Sequence, residues 1–178
     1  FADAQDSLHN ADKAKAELAK AKSELQSQGV QFPIHIDYVV DQSSSSLVQQ
    51  ADSMKSSIES ALGKDNVVID VQKLSTDDAD NATYFAQSPD QKDFDMDITG
   101  WGPDFQDPST YLDILNPTDG STLTGMGLDP KKDQALIEKI GLNEYKELLD
   151  AANAEKLDTN ARYEKYAAAQ AWLTENAM

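Results

Sequence analysis

The sequence predicts an α/β fold: a three-layer α/β lobe with a central, mainly parallel sheet, helices on both of its faces and a helical C-terminal part. Two observations predict it. Over residues 32–101, short β-branched segments alternate with helical patterns, an order that is typical of parallel βαβ units. From residue 131 onward the spacing of apolar residues is helical. A chain of 178 residues is long enough for a real core, and we expect residues 1–178 to form a single domain.

Strands are predicted near residues 33–40, 66–73 and 94–101. We expect the three to lie parallel, with the first in the middle and right-handed crossovers between them. The second strand is almost continuously apolar and β-branched over residues 67–71. Such a composition favours a strand that is covered on both faces of the sheet.

Helices are predicted wherever apolar residues recur at spacings of three and four. Their ends follow from capping residues: Gly29 and Gly63 each end a helix, Asp107 and Pro108 begin one, and Gly141 separates two others. The predicted helices cover residues 3–28, 47–62, 77–87, 107–115, 131–140, 143–154 and 158–178.

The charge of the chain excludes several classes of partner. A formal net charge of −17 argues against nucleic acid and against anionic membrane surfaces, since both require patches of Lys and Arg. The sequence has no cysteine, which excludes disulfides, thiol catalysis and zinc–thiolate sites. It also lacks an apolar run of about 18 residues, so no segment is predicted to span a membrane.

Enzymatic and metal-binding sites are not predicted. His9 and His35 are the two histidines, and neither lies near a motif for a nucleophilic serine. The alternating acids of residues 93–97 suggest a calcium loop, but such a loop requires Gly and Glu where Ile98 and Asp104 stand. No glycine-rich phosphate loop is present. We therefore expect no enzyme activity, no cofactor and no metal.

The strongest candidate for a binding site lies at the end of the third predicted strand, in residues 100–108. Ligands of open α/β sheets bind at the carboxyl ends of parallel strands. Gly100 and Gly102 allow a ligand to approach the backbone, Trp101 offers a flat apolar wall, and Asp104 offers a carboxylate for an ammonium group. The alternative is a buried tryptophan next to a turn acid. We expect Trp101 and Asp104 to lie at one edge of the sheet and to be partly exposed.

The same segment resembles a known family. Residues 94–101, with the sequence FDMDITGW, followed by Pro103, Asp104 and Phe105 and then by Asp107-Pro108, are similar to the oligopeptide-binding proteins of peptide ABC transporters, solute-binding protein family 5. The Ala- and Lys-rich first helix and the final helix also resemble that family, so the resemblance spans essentially the whole chain. It implies the fold of a type II periplasmic-binding-protein-like lobe.

The resemblance also implies residue roles. Asp104 corresponds to the acid that pairs with the free amine of a bound peptide, and Trp101 corresponds to the aromatic residue that lines the cleft. Gly102, Pro103 and Phe105 complete the expected peptide-binding segment. The protein would be a peptide receptor with two lobes, of which this chain is the second, and the isolated chain would be monomeric.

Partners and location follow from the same resemblance. They are oligopeptides and, through the full-length protein, the membrane permease subunits of an importer. The protein would be lipid-anchored at the extracellular face of the membrane, or periplasmic. One alternative stays open at this point, an extracellular adhesin or interaction domain without a role in transport.

Overall fold

The computed structural model describes residues 10–86, 88 and 91–176. They form two compact units. The first consists of the described residues of Phe1–Thr83 together with Asp93–Ile98, and the second of those of Tyr84–Lys92 and Thr99–Met178. None of the helices within this part of the chain has the length and apolar character that crossing a bilayer requires.

The first unit is an α/β structure. Its elements are α1 (Ala11–Ser27), β1 (Ile34–Asp41), α2 (Ser45–Leu62), β2 (Val67–Leu74) and α3 (Thr76–Ala82). β1 and β2 pair in parallel, with Ile34 opposite Val67 and Asp41 opposite Leu74. The predicted fold class and the parallel pairing of the first two strands are confirmed.

The third predicted strand is reduced to a single bridge. Met96 forms an isolated parallel bridge with Tyr38, on the side of β1 away from β2, so β1 does lie in the middle. The prediction of a full strand over residues 94–101 is wrong. Before the bridge, the N–H of Asp37 donates to the side-chain Oδ2 of Asp95 at 2.9 Å, where a continued ladder would use a backbone carbonyl. After the bridge, the chain leaves the first unit at Thr99.

The core of the first unit lies between the sheet and α2. It is built from residues of both strands and from one alanine of the helix: Tyr38, Val40, Ala51, Val67 and Ile69. The opposite face of the sheet is polar over part of its length, where the exposed His35 contacts Asp70 at 2.6 Å. β2 is therefore not buried evenly on its two faces, because Asp70 and Gln72 alternate with its apolar residues.

The outer edge of β2 is closed by side chains of α2. The buried Glu59 accepts a hydrogen bond from the N–H of Ile69 at 3.1 Å, and Lys55 donates to the carbonyl of the same residue. Lys55 and Lys64 also pair with Glu59, at 2.9 and 3.2 Å. An acid and a base thus take the place of a neighbouring strand, which blocks this stretch of the edge from pairing with another chain.

The second unit is helical. It contains α4 (Ser109–Leu112), α5 (Gln134–Lys139), α6 (Leu142–Ala154) and α7 (Thr159–Glu175), with short 3₁₀ turns at Asp113–Leu115 and Thr124–Met126. Its core joins α4 to the later helices and to the loop before α5: Leu112, Leu123, Leu128, Ile137, Leu142, Tyr145, Leu149, Ala152, Tyr166, Ala169 and Leu173. The helical C-terminal part is confirmed.

Most helix boundaries lie within about three residues of the prediction, although α4 is shorter than predicted and α5 starts later, and α3 departs furthest. It ends at Ala82 instead of about residue 87, since Thr83 leaves the helical backbone with φ −120° and ψ −90°. The next residues, Tyr84 and Phe85, are exposed, so a longer helix would gain no packing. Residues 3–9, 87 and 177–178, which the prediction also assigned to helices, lie outside the described residues.

Candidate functional site

The predicted binding segment is an exposed stretch of the second unit that leads into α4. Residues 99–108 form neither helix nor strand. Trp101 is 39% exposed and Phe105 57% exposed, and Gly102, Pro103 and Asp104 are exposed as well. The expected partial exposure of Trp101 and Asp104 is observed, and the alternative of a buried Trp101 is not. Their position at the edge of the sheet stays a prediction.

The two glycines of the segment are not required by the fold. At Gly100 and at Gly102, a Cβ atom built on the backbone would meet no heavy atom within 4 Å. Neither residue adopts the positive φ that favours glycine. Open space above this backbone is the condition under which a ligand can approach it closely.

The side chain of Thr110 holds Asp104. The hydroxyl of Thr110 accepts a hydrogen bond from the N–H of Asp104 at 3.0 Å, and it donates to Oδ2 of the same residue at 3.3 Å. Thr110 is buried, whereas Asp104 is exposed. Among the residues that the structure describes, Oδ1 of Asp104 has no hydrogen-bond partner, so this oxygen is available to an external donor.

A compact turn places Thr110 under Asp104. The carboxylate of Asp107 accepts a hydrogen bond from the N–H of Ser109 at 3.0 Å, and its backbone carbonyl accepts from the N–H of Thr110 at 3.2 Å. Pro108 lies between them with φ −58°, a value that its ring imposes. The prediction of Asp107 as the N-cap is wrong by one residue, because Pro108 is the N-cap and the helix begins at Ser109; the carboxylate of Asp107 stabilises the turn just before it.

Arg162 of α7 anchors this turn. It donates to both carboxylate oxygens of Asp107, from Nη1 to Oδ2 and from Nη2 to Oδ1 at 2.9 Å. Both side chains are largely buried, with exposed fractions of 23% and 19%. The hydrogen bonds from Arg162 lower the pKa of Asp107 to about 2, and the same contact raises the pKa of Arg162.

The anchor extends into α6 through two further side chains. The hydroxyl of Tyr166 accepts a hydrogen bond from Arg162 at 2.7 Å and donates to Oδ1 of Asn153 at 2.6 Å. The amide of Asn153 donates to Asp113 at 3.3 Å. Burial raises the pKa of the Tyr166 hydroxyl. Nη2 of Arg162 therefore bonds Asp107 and Tyr166 at once, and Tyr166 bonds Asn153, so the turn before α4 is linked to both α7 and α6.

The C-terminal end of α4 is fixed separately. The hydroxyl of Tyr145 in α6 donates to the backbone carbonyl of Leu112 at 2.6 Å, and both residues are buried. Burial raises the pKa of Tyr145. The segment that carries Asp104 is thus followed by a short helix that two longer helices hold at both ends.

The exposed carboxylate of Asp104 can receive a cation. In the described part of the chain, no group of three or more His, Cys, Asp or Glu side chains is arranged to hold a metal ion. His35 belongs to the first unit and Asp104 to the second. The site therefore consists of an exposed carboxylate on a rigid turn, preceded by an aromatic side chain and open backbone.

The exposed residues of this candidate site were predicted from the sequence, but the largely buried residues that hold them in place were not. Trp101, Asp104 and Phe105 were predicted, whereas Thr110 and Arg162 were not. One signal was available: Arg162 is the single arginine of the chain, in a sequence with 32 acidic residues. A lone guanidinium is a strong candidate for a bidentate contact with a carboxylate.

Comparison with known proteins identifies relatives. Residues 1–122 match the family described as bacterial extracellular solute-binding proteins, family 5 Middle. The chain is 55% identical to the oligopeptide-binding protein SarA of Streptococcus gordonii and 54% identical to the oligopeptide-binding protein AliA of Streptococcus pneumoniae. In each case the match covers 100% of this chain and 27% of the relative. The chain thus spans about a quarter of the length of these relatives.

Solved structures share the fold. A peptide-binding protein of a peptide ABC transporter matches with a TM-score of 0.64 at 23% identity, over 95% of this chain and 63% of that one. Listeria monocytogenes OppA bound to peptide matches with a TM-score of 0.59 at 19% identity, over 93% of this chain and 26% of that one. At these identities the likeness concerns the fold alone.

Proposed function

Because the chain belongs to family 5 of the bacterial extracellular solute-binding proteins, we propose that it is part of the oligopeptide receptor of an ABC peptide importer. The names of its relatives support this function, since SarA and AliA are oligopeptide-binding proteins. The observation that carries the proposal is the exposed carboxylate of Asp104: one oxygen is bonded to Thr110, and the other has no partner among the residues that the structure describes.

Asp104 binds the free amine at the N-terminus of the peptide. Every unmodified peptide carries this one positive charge at a fixed place, whatever its sequence. A hydrogen bond between an ammonium group and a carboxylate is worth about 1.5–3 kcal/mol, more than a neutral one. An anchor of this kind favours peptides without selecting among side chains, which is what an importer of mixed peptides requires.

The residues before and after Asp104 contribute the rest of this wall of the cleft. Trp101 and Phe105 offer apolar surface to peptide side chains. Gly102 leaves its backbone open to main-chain hydrogen bonds, which are tolerant of sequence. Pro103 lies between Gly102 and Asp104, and its ring restricts the backbone between these two residues.

The chain supplies one lobe of a protein that closes on the peptide from two sides. Its coverage of 27% of SarA is in keeping with such a part. The full-length receptor is lipid-anchored at the extracellular face of the cell membrane or lies in the periplasm, and it delivers peptide to permease subunits. It is a binding protein and not an enzyme, and the isolated chain is a monomer. The names of the relatives give no support to the alternative of an adhesin.

Isothermal titration of the full-length protein tests the proposal. Asp104→Asn removes the charge and keeps the shape, so we expect it to weaken a free-amine peptide by about 1–3 kcal/mol and to affect the N-acetylated form much less. Asp119→Asn, at another exposed position, is the control and should change neither. The proposal is wrong if the unmodified protein binds no peptide. Equal losses for the two peptide forms would remove Asp104 from the role of amine anchor.

A further inference from the structure

Thr110 is the one buried side chain that hydrogen-bonds Asp104 among the residues that the structure describes. Its exposed fraction is 4%, and its single hydroxyl meets both the backbone N–H and the carboxylate of Asp104. We propose that Thr110 is a positioning residue for amine binding, which orients the carboxylate of Asp104 toward the peptide. This inference rests on the proposed function, and it assigns a role to a residue that does not itself contact the peptide.

The chemistry of a hydroxyl explains why one side chain suffices. A threonine hydroxyl has one proton to donate and lone pairs to accept with. Here the lone pair takes the N–H of Asp104 at 3.0 Å, which leaves the proton for Oδ2 at 3.3 Å. The two contacts fix both the backbone and the side chain of Asp104. Oδ2 is thereby turned toward the buried threonine, and Oδ1 remains for the ligand.

Thr110 can hold an exposed residue because it is itself held. Its backbone N–H donates to the carbonyl of Asp107, and Arg162 binds the carboxylate of Asp107 from α7. The branched Cβ of threonine also restricts rotation of the side chain that carries the hydroxyl. A continuous series of contacts therefore runs from α7 through the turn to Asp104.

Orientation before binding raises affinity for a specific kind of ligand. An exposed aspartate that rotates freely must be immobilised when it binds an ammonium group, and this ordering opposes association. Thr110 removes part of that cost only for ligands that use Asp104. Its contribution should therefore be present with free-amine peptides and absent with N-acetylated ones.

Two substitutions in the full-length protein separate positioning from simple packing. Thr110→Val keeps the branched shape and removes the hydroxyl, while Thr110→Ser keeps the hydroxyl. We expect Thr110→Val to weaken a free-amine peptide about five-fold, the usual effect of one hydrogen bond, and to change the N-acetylated peptide less than about two-fold. Thr110→Ser should stay within about two-fold of the unmodified protein for both peptides.

The outcomes are distinct from those that test the proposed function. If Asp104→Asn acts selectively on free-amine peptides and Thr110→Val does not, the function stands and this inference falls. An equal loss for both peptides with Thr110→Val indicates only a packing role and also overturns it. If the unmodified protein binds no peptide, both ideas fall. Should thermal melting show that Thr110→Val does not fold, Thr110→Ala takes its place, since it also lacks the hydroxyl and is smaller.

Discussion

Arg162 donates hydrogen bonds to both carboxylate oxygens of Asp107, a residue that lies 55 positions earlier in the sequence. Asp107 closes the exposed segment that carries Trp101 and Asp104, so this pair joins the candidate site to the first turn of α7. The geometry is bidentate, which fixes the direction of the turn as well as its distance from the helix. The exposed part of the site thus depends on a largely buried ion pair.

The acid sensitivity of the fold should reflect this pair. The pKa of Asp107 is lowered from 3.8 to about 2, chiefly by hydrogen bonds from Arg162. A lowered pKa in the folded state means that the stabilisation is fully present above pH 3.8 and is lost as the pH falls toward 2. The pKa values of Glu59 and Glu155 are lowered from 4.5 to about 2, chiefly by hydrogen bonds from lysine side chains, so their stabilisation is lost as the pH falls from 4.5 toward 2. We expect the melting temperature to fall steeply in this range.

Asp107→Asn tests the assignment. At pH 7 it should lower the melting temperature by roughly 3–5 °C, because a charge-assisted contact is lost. Toward pH 2 its curve should approach that of the unmodified chain, in which Asp107 is then becoming protonated. Asp119→Asn serves as the exposed control. Curves for Asp107→Asn and the unmodified chain that stay parallel down to pH 2 would contradict the prediction.

Tyr145→Phe should destabilise the second unit. The substitution removes the hydroxyl that donates to the carbonyl of Leu112 and leaves that buried carbonyl without its partner. A loss of about 1–3 kcal/mol in the free energy of unfolding is expected, measured by urea denaturation. Tyr163→Phe removes the same atom from a residue that is 48% exposed and should cost less than about 0.5 kcal/mol. Similar costs at both positions would refute the role of the buried hydrogen bond.

The fold was predictable where local patterns decide it. β1 and β2 follow from β-branched, alternating residues, and α2 ends where Gly63, with φ +83°, allows the turn into β2. The third strand was not predictable in the same way. Its alternating pattern is real, but Asp95 uses its side chain on the backbone of Asp37, and only the folded arrangement of the two segments reveals this.

The candidate site also combines residues that a local sequence pattern predicts with residues that only tertiary packing brings together. Trp101 and Asp104 were predicted because an aromatic residue and an acid after a strand carry recognisable chemistry. The supporting contacts of Arg162 and Tyr166 with the turn and with Asn153 depend on how α7 packs against α4 and α6. Packing of this kind joins residues that are far apart in sequence and leaves no local pattern. Periodicity places Tyr166 on an apolar face but does not reveal the partner of its hydroxyl.

Hydrogen exchange should reveal the closed edge of β2. In Glu59→Ala the N–H of Ile69 loses its acceptor, and Lys55 and Lys64 lose their ion pairs with Glu59. We expect the amide of Ile69 to exchange several-fold faster, while amides that bond to β1 change less. The matched control is Asp52→Ala. Asp52 also lies on α2, and its exposed carboxylate pairs with Lys73 of β2. If Asp52→Ala accelerates the Ile69 amide as much as Glu59→Ala does, the edge is not closed by Glu59.

Substitution of two glycines by alanine should affect folding stability very differently. At Gly120 an added Cβ would lie 2.5 Å from the carbonyl oxygen of Ile114 and 2.7 Å from backbone atoms of Asn116, so the backbone must shift. We expect Gly120→Ala to cost at least about 1–3 kcal/mol of folding stability. At Gly102 the same change meets no atom within 4 Å and should leave the melting temperature unchanged within about 1 °C.

The stability of Gly102→Ala makes it a clean probe of binding in the full-length protein. If the backbone at Gly102 lies against the peptide, a methyl group there should weaken binding by at least about five-fold, since overpacking costs roughly 1–3 kcal/mol. The loss should be similar for free-amine and N-acetylated peptides, because the clash is with the main chain and not with the amine. This pattern differs from that of Asp104→Asn, so titration of both peptides with both variants separates the two contacts. Unchanged affinity in Gly102→Ala would mean that the peptide does not approach this stretch of backbone.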